Sequence, residues 1–134
     1  MPHLTLEYSA NLSDASSMDQ LCHKLAKVLV AQQEIGKPVF PIGGVRVRAL
    51  RCEQYAIADG RADAAFLHAN LKIGAGRSDS AKRAAGDALF ETIKAHFRNE
   101  FEKSGLALSL EIGEFSEAGT WKHNNLHARL KGEA

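Results

Sequence analysis

Three observations predict an α+β fold in which two strand-helix-strand repeats form a four-stranded sheet with both helices on one face. The chain is 134 residues long, with 45% hydrophobic and 25% charged residues, which suits one soluble domain with a single core. HLTLEYSANLSD (3–14) aligns without a gap on HANLKIGAGRSD (68–79), with His3/His68, Leu6/Leu71, Ala10/Ala75, Ser13/Ser78 and Asp14/Asp79 identical, so one unit is used twice. Within each unit a two-residue alternation gives way to helical spacing and then returns. The units cover about residues 2–52 and 64–115 of one domain spanning 1–134, with a tail at 119–134.

The first strand is expected to begin at once, as LTLEY behind Pro2, with no leader in front of it. A polar turn leads to a helix with Leu21, Leu25, Val28 and Leu29 on one face. QEIGKPVFPIGG (33–44) is a Pro/Gly-rich connection, and GVRVRAL alternates as the second strand. AAFLHANLKI (64–73) is the third strand, ended by GAG. Ser78 or Ser80 then caps a helix whose Ala85, Leu89, Ile93, Phe97 and Phe101 continue the stripe until Gly105. LALSLEI (106–112) is the fourth strand. The repeat offset sets Val28 on Ile93 and VRV (45–47) on LEI (110–112), so that Arg46 corresponds to Glu111.

Helices of this length suit right-handed crossovers between parallel strands. The helix-free face would then carry Val45, Val47 and Ala49, an apolar surface that further copies of the chain would cover. In the tail, LHARL alternates and is expected either to add a strand to a neighbouring subunit's edge or to extend along the surface. Trp121 reads as an interface anchor.

Composition excludes several functions. Seventeen basic residues against sixteen acidic give a net charge of +1, so no global field favours nucleic acid or an anionic membrane, and any anion selectivity is local. The absence of a signal-peptide pattern and of about 18 consecutive apolar residues makes the cytoplasm the expected location. Cys22 and Cys52 lack C-x-x-C spacing and read as packing thiols. His123 and His127 stand four apart in a segment that reads extended, without H-E-x-x-H, so no metal site is expected.

Three stretches can carry chemistry. A small second residue permits removal of the initiator methionine, which would leave Pro2 with a free, rigid secondary amine. Terminal amines titrate near about 8, and a guanidinium about 6 Å away at an effective dielectric of about 20 opposes protonation by roughly 2.8 kcal/mol. The plainer reading of Pro2 is the start of an edge strand, where it costs no ladder hydrogen bond. In IGAGRS (73–78) the glycines turn the backbone sharply and Arg77 projects at the start of a helix, where exposed N–H groups also favour anions. The alternative there is a solvated arginine on a glycine turn. The first unit has Ser9, Asn11 and Leu12 in that stretch, so the fold does not require the basic version. In VRVRALR (45–51) alternation sets Arg46 and Arg48 on one face, which suits either a solvent-facing strand or a carboxylate groove.

Met-Pro at the start of a strand, two strand-helix-strand units and an arginine in a GRS turn together resemble the tautomerase superfamily. Within it, MPH, ADG (58–60), LKIGAGRS (71–78), LFETIKAHF (89–97), LALSLEI (106–112) and KHNNLHA (122–128) resemble, in order, the 5-carboxymethyl-2-hydroxymuconate isomerase family. The resemblance implies a tautomerase-like homotrimer without metal or organic cofactor, acting on a small-molecule carboxylate in aromatic catabolism such as homoprotocatechuate degradation. It implies Pro2 as the proton-shuttling base, Arg77 as catalytic and substrate-binding, and Arg46 as substrate-binding. The departures are a long connection, GKPVFPIGG, before Arg46 and the lack of an aromatic residue near the middle of RADAAF. Competing readings are another proline-dependent tautomerase, a haloacrylate dehalogenase, or a non-enzymatic oligomeric module in which Arg46, Arg48 and Arg51 bind an acidic partner.

Overall fold

Alternation in sequence becomes alternation in burial along the first strand. β1 (His3–Ser9) buries Leu4, Leu6 and Tyr8 on one face and turns His3, Thr5 and Glu7 to the other, as the two-residue period of a strand demands. The computed structural model describes residues 1–12, 17–60 and 63–132, except for the side chains of 131 and 132. Ser13 and Asp14, which complete two identical repeat pairs, lie outside the described residues, as do positions 61 and 62 within RADAAF.

The elements that follow are α1 (Met18–Ala31), a short hairpin of β2 (Gln33–Glu34) and β3 (Lys37–Pro38), β4 (Arg46–Cys52), β5 (Ala64–Gly74), α2 (Asp79–His96), α3 (Arg98–Lys103), β6 (Gly105–Phe115) and α4 (Leu126–Gly132). The main sheet has the order β4-β1-β5-β6. β1 is parallel to β4 and antiparallel to β5, and β5 is parallel to β6. Each strand-helix-strand unit therefore supplies one parallel pair, and the two units meet antiparallel at the centre.

Both long helices start on a serine. The Ser17 hydroxyl accepts the Gln20 N–H at 3.1 Å, and the Ser78 hydroxyl accepts that of Ala81 at 3.1 Å, each satisfying an orphan donor of the first turn. α1 buries Leu21, Leu25 and Leu29, and α2 buries Ala81, Ala85, Leu89 and Ile93, against the same face of the sheet. Each wholly buried leucine contributes about 1.5–3 kcal/mol of transfer free energy. Among the described residues no helix is long and apolar enough to cross a membrane.

Five expectations need correction. The apolar residues of β4 face the helices: the register pairs Leu4 with Val47 and Leu6 with Ala49, so Val47 and Ala49 share the core side with the β1 leucines. The helix-free face is polar instead, carrying His3, Thr5, Arg46, Arg48, Asn70 and Lys72. The repeat slips by two residues at the second strands. His3 pairs with Arg46 while His68 pairs with Ser109, making Ser109, not Glu111, the structural counterpart of Arg46. A slip of two preserves the face, which is why apolar phasing alone does not reveal it.

The second-unit helix does not run straight to Gly105. Phe97 leaves helical geometry (φ −105°, ψ 20°), stays in the core, and the bend turns Phe101 61% exposed. The tail is not a strand: LHARL lies in α4, introduced by Asn124, whose side-chain oxygen accepts the Leu126 N–H in an Asx-type turn. His127 is therefore helical and not extended. Finally, the 33–44 connection contains the β2–β3 hairpin, closed by Ile35 and Gly36, both at positive φ (54° and 73°), as a two-residue hairpin turn of the primed type requires.

Candidate active site at the amino terminus

The chain start is held by the turn that precedes β4 and by the C-terminal tail. Pro2 is buried, and its carbonyl accepts the Arg46 N–H at 3.0 Å, locking the start of β1 to the start of β4. Gly44 lets Met1 lie close: a Cβ there would come within 3.2 Å of the Met1 Cα. Gly43 does the same for the tail, since a Cβ there would stand 2.8 Å from the His127 backbone nitrogen. Asn124 ties these together, its amide donating to the Gly43 carbonyl at 3.3 Å and standing 3.6 Å from the Met1 sulfur.

Two cavities open beside Met1, and both are lined by Met1, Phe115, Thr120 and Lys122. The smaller, about 340 Å³, adds Pro41, Gly74, Ala75, Arg77 and Glu117. The other, about 500 Å³, lies on the helix-free face with His3, Arg48, Asn70, Lys72 and Trp121. A larger cleft of about 880 Å³ between α2 and β6 lies away from the terminus. There Lys82 pairs with Asp79 at 3.3 Å and with Glu114 at 3.6 Å.

Arg77 is fixed by its own turn and by the long connection. Gly76, at φ 108°, lets the GAG turn fold back. The arginine's Nε donates to the Val39 carbonyl at 3.1 Å and its Nη1 to that of Gly74 at 3.2 Å, while Phe40 lies under the guanidinium at 4.9 Å. Burial lowers its pKa and the Glu114 charge opposes that, but a guanidinium remains charged throughout the ordinary pH range. Arg46 is turned toward backbone, with Nη1 donating to Gly43 at 2.8 Å and Val45 at 3.2 Å, and lines neither cavity beside Met1. Arg48 does reach the helix-free cavity, with Nη1 3.2 Å from His3 Nδ1. Burial first, then Arg48, Arg46 and the terminal amine, hold the His3 pKa below its ordinary value.

The same surroundings act on the terminal nitrogen. The Met1 amine has a lowered pKa, because burial disfavours its charged form and the cations Arg77, Lys122 and Arg46 add repulsion in that order. Of the predicted site residues, Arg77 lines a cavity beside Met1, Pro2 follows Met1 but is buried and lines neither cavity, and Arg46 lies within electrostatic reach of the terminal amine. Lys122, Phe115 and Phe40 escaped the sequence reading. Lys122 stood in KHNNLHA, a stretch used for the resemblance without a role, whereas nothing in sequence joins Phe115 or Phe40 to a site.

Comparison with known proteins agrees with this geometry. Residues 2–130 match the family model described as 5-carboxymethyl-2-hydroxymuconate isomerase. The 5-carboxymethyl-2-hydroxymuconate Delta-isomerase of Escherichia coli is 40% identical over 131 residues, covering 98% of this chain and 100% of that protein. A crystal structure of a 5-carboxymethyl-2-hydroxymuconate isomerase from Deinococcus radiodurans R1 is 52% identical, covers 96% of this chain and 93% of its own, and superposes with a TM-score of 0.88. A second solved 5-carboxymethyl-2-hydroxymuconate delta-isomerase gives 34% identity, 97% and 93% coverage and a TM-score of 0.89. At 16% identity, a fused 4-OT symmetric trimer covers 90% of this chain and 93% of its own with a TM-score of 0.62, a likeness of fold alone. Over nearly its whole length, in sequence and in sheet topology, the chain belongs to the 5-carboxymethyl-2-hydroxymuconate isomerase family and is an isomerase.

Proposed function

We propose that the chain, once Met1 has been removed, isomerises 5-carboxymethyl-2-hydroxymuconate, with the Pro2 amine as general base. The observation that carries this reading is the cavity at the chain start, which Met1, Arg77 and Lys122 line together, and where burial first and then Arg77, Lys122 and Arg46 lower the basicity of the terminal amine. In that setting a secondary amine would be less readily protonated than a free terminal amine, whereas with Met1 attached the Pro2 nitrogen is an amide with no basic lone pair.

The Pro2 nitrogen takes the 2-hydroxyl proton of the dienol. The electron pair released forms the 2-keto group and shifts the double bonds along the chain, and the protonated proline returns a proton to a carbon further along. Atoms and charge balance without an external redox partner, and the product is the unsaturated ketone. Between the transfers the dienolate carries an extra negative charge, which Arg77 stabilises from a fixed position. The Arg46 guanidinium supports the base electrostatically and supplies a further cation for a substrate carboxylate. Self-association into a trimer fits the unlike edges of the sheet: β4 carries Arg46, Arg48 and Arg51, and β6 carries Glu111 and Glu114. Sedimentation of the purified chain tests that part.

Loss of dienol absorbance, followed with protein whose intact mass lacks Met1, tests the function. A rate well above buffer is expected. A processed protein with no rate on the tricarboxylate or on 2-hydroxymuconate would end this reading.

A further inference from the structure

We infer that Lys122, carried by the C-terminal tail, is the binding cation for a third substrate carboxylate and so sets the preference for a tricarboxylate over a dicarboxylate. The inference deepens the proposed function and rests on it.

The argument begins with the substrate's chemistry. A muconate has two carboxylates and a carboxymethyl arm adds a third, so three anionic groups must find partners. The two assigned arginines have limited free donors. Arg77 spends Nε on Val39 and Nη1 on Gly74, and Arg46 spends Nη1 on Gly43 and Val45, which leaves each guanidinium one edge suited to one carboxylate. Arg48 spends Nη1 on His3 at 3.2 Å and lines only the helix-free cavity, away from Arg77.

Lys122 stands apart from these. It lines both cavities that flank Met1, so a ligand reaching from Arg77 toward the helix-free face passes it. Among the described residues it forms no ion pair, unlike Lys82 and Lys94, whose ammonium groups are paired with carboxylates. Lys72, like Arg48, is a further cation of this region, but it sits on β5 and lines only the helix-free cavity. An ammonium on a flexible stem needs no backbone fixing to meet an arm of variable direction, whereas a guanidinium fork demands a fixed geometry. The tail segment thereby becomes part of the binding site.

The test uses the processed enzyme and three variants, Lys122→Gln, Lys122→Arg and Lys72→Gln, with 5-carboxymethyl-2-hydroxymuconate and with 2-hydroxymuconate. At a pH above the ascending limb of each enzyme's profile, where a change in the base's own titration does not register, Lys122→Gln is expected to raise KM for the tricarboxylate about tenfold with kcat within about twofold, and to change KM for the dicarboxylate less than about twofold. Lys122→Arg should restore most of the loss, and Lys72→Gln should cost less than Lys122→Gln. An equal KM rise for both substrates, no rise at all, or a larger effect at Lys72 overturns the inference. If the unsubstituted enzyme turns over neither substrate, it is the proposed function that fails. Calorimetric titration with propane-1,2,3-tricarboxylate and with glutarate then decides Lys122 separately. A loss on Lys122→Gln confined to the tricarboxylate supports it, and equal losses, or no tricarboxylate binding to the unsubstituted chain, overturn it.

Discussion

Where the second unit has Leu67, wholly buried under the helices, the equivalent position of the first unit is Pro2; where the first has Leu12, buried at the end of its opening strand, the second has Arg77. Leu67 and Leu12 pack the core, whereas Arg77 lines the cavity beside the terminus and Pro2, itself buried, directly follows the Met1 that lines it. A fold built twice from one unit can therefore satisfy its packing with one copy and release the other for chemistry. The two proposed site residues come from different units, and the central antiparallel pairing of β1 with β5 brings the start of one strand beside the end of the other, with His3 opposite Lys72.

The sharpest way to break this comparison is to treat the paired positions alike. Acylating the Pro2 amine of processed enzyme should lower kcat/KM by about 10³-fold, the size of a lost general base, without altering the unfolding midpoint. Leu67→Ala should do the reverse, costing about 2–5 kcal/mol in denaturant unfolding while the folded fraction keeps its kcat/KM. Comparable catalytic losses at both positions would mean that the units do not divide the work.

The second pair gives a smaller effect and a directional one. Arg77→Ala should reduce kcat/KM by about 10²-fold. It should also move the ascending limb of the pH profile to higher pH, because the base must be deprotonated to act and Arg77 is the largest of the charges opposing protonation at the terminus. Leu12→Ala should lower stability by about 2–4 kcal/mol and leave that limb in place. An unmoved limb in Arg77→Ala would assign the tuning to burial.

Smaller still are the helix caps. Ser17→Ala and Ser78→Ala should each cost about 1 kcal/mol in thermal or denaturant unfolding. Ser78 also donates to the Glu34 carboxylate at 2.7 Å, which ties the β2–β3 hairpin to the Arg77 turn. Only Ser78→Ala should therefore add a several-fold loss of kcat/KM.

The least effect is expected where the units meet through their helices, at Lys24 on α1 and His96 on α2, 3.2 Å apart. Burial first and Lys24 second depress the folded-state pKa of His96. The neutral ring's contribution is complete above the unfolded value of about 6.5 and is lost as pH falls through the lower folded value. Stability measured from pH 7 to 5 should decline less in His96→Asn than in the unsubstituted chain.

Strands, helices and the twofold use of one unit were legible because period-two and period-3.6 patterns report directly which face is buried. Pro2 and Arg77 could be singled out as candidates because each sits in a pattern that its repeat partner lacks. The polarity of the open face was misread, since alternation reveals that β4 has two unlike faces without saying which one meets the helices; that depends on its register with β1. The tail helix was missed because LHARL is compatible with either period, and Asn124 decides it through a local turn. Lys122 could not be placed from sequence, because what brings it to Met1 is a pair of close approaches at Gly43 and Gly44 rather than any periodicity.

Those adjacent glycines impose an order on events in the cell. Met1 is wedged against Gly44 and beside Asn124, while Gly43 seats the tail. A processing aminopeptidase needs an extended, accessible terminus, and Asn124 leaves the ribosome long after Met1 does. Since amino-terminal segments emerge and begin folding first, the window for trimming opens early in translation and narrows when the tail docks. If Pro2 is the base, slow processing would leave a fraction of chains folded with the methionine still attached and inactive, and specific activity would record how fast the cell trims as well as how well the site works.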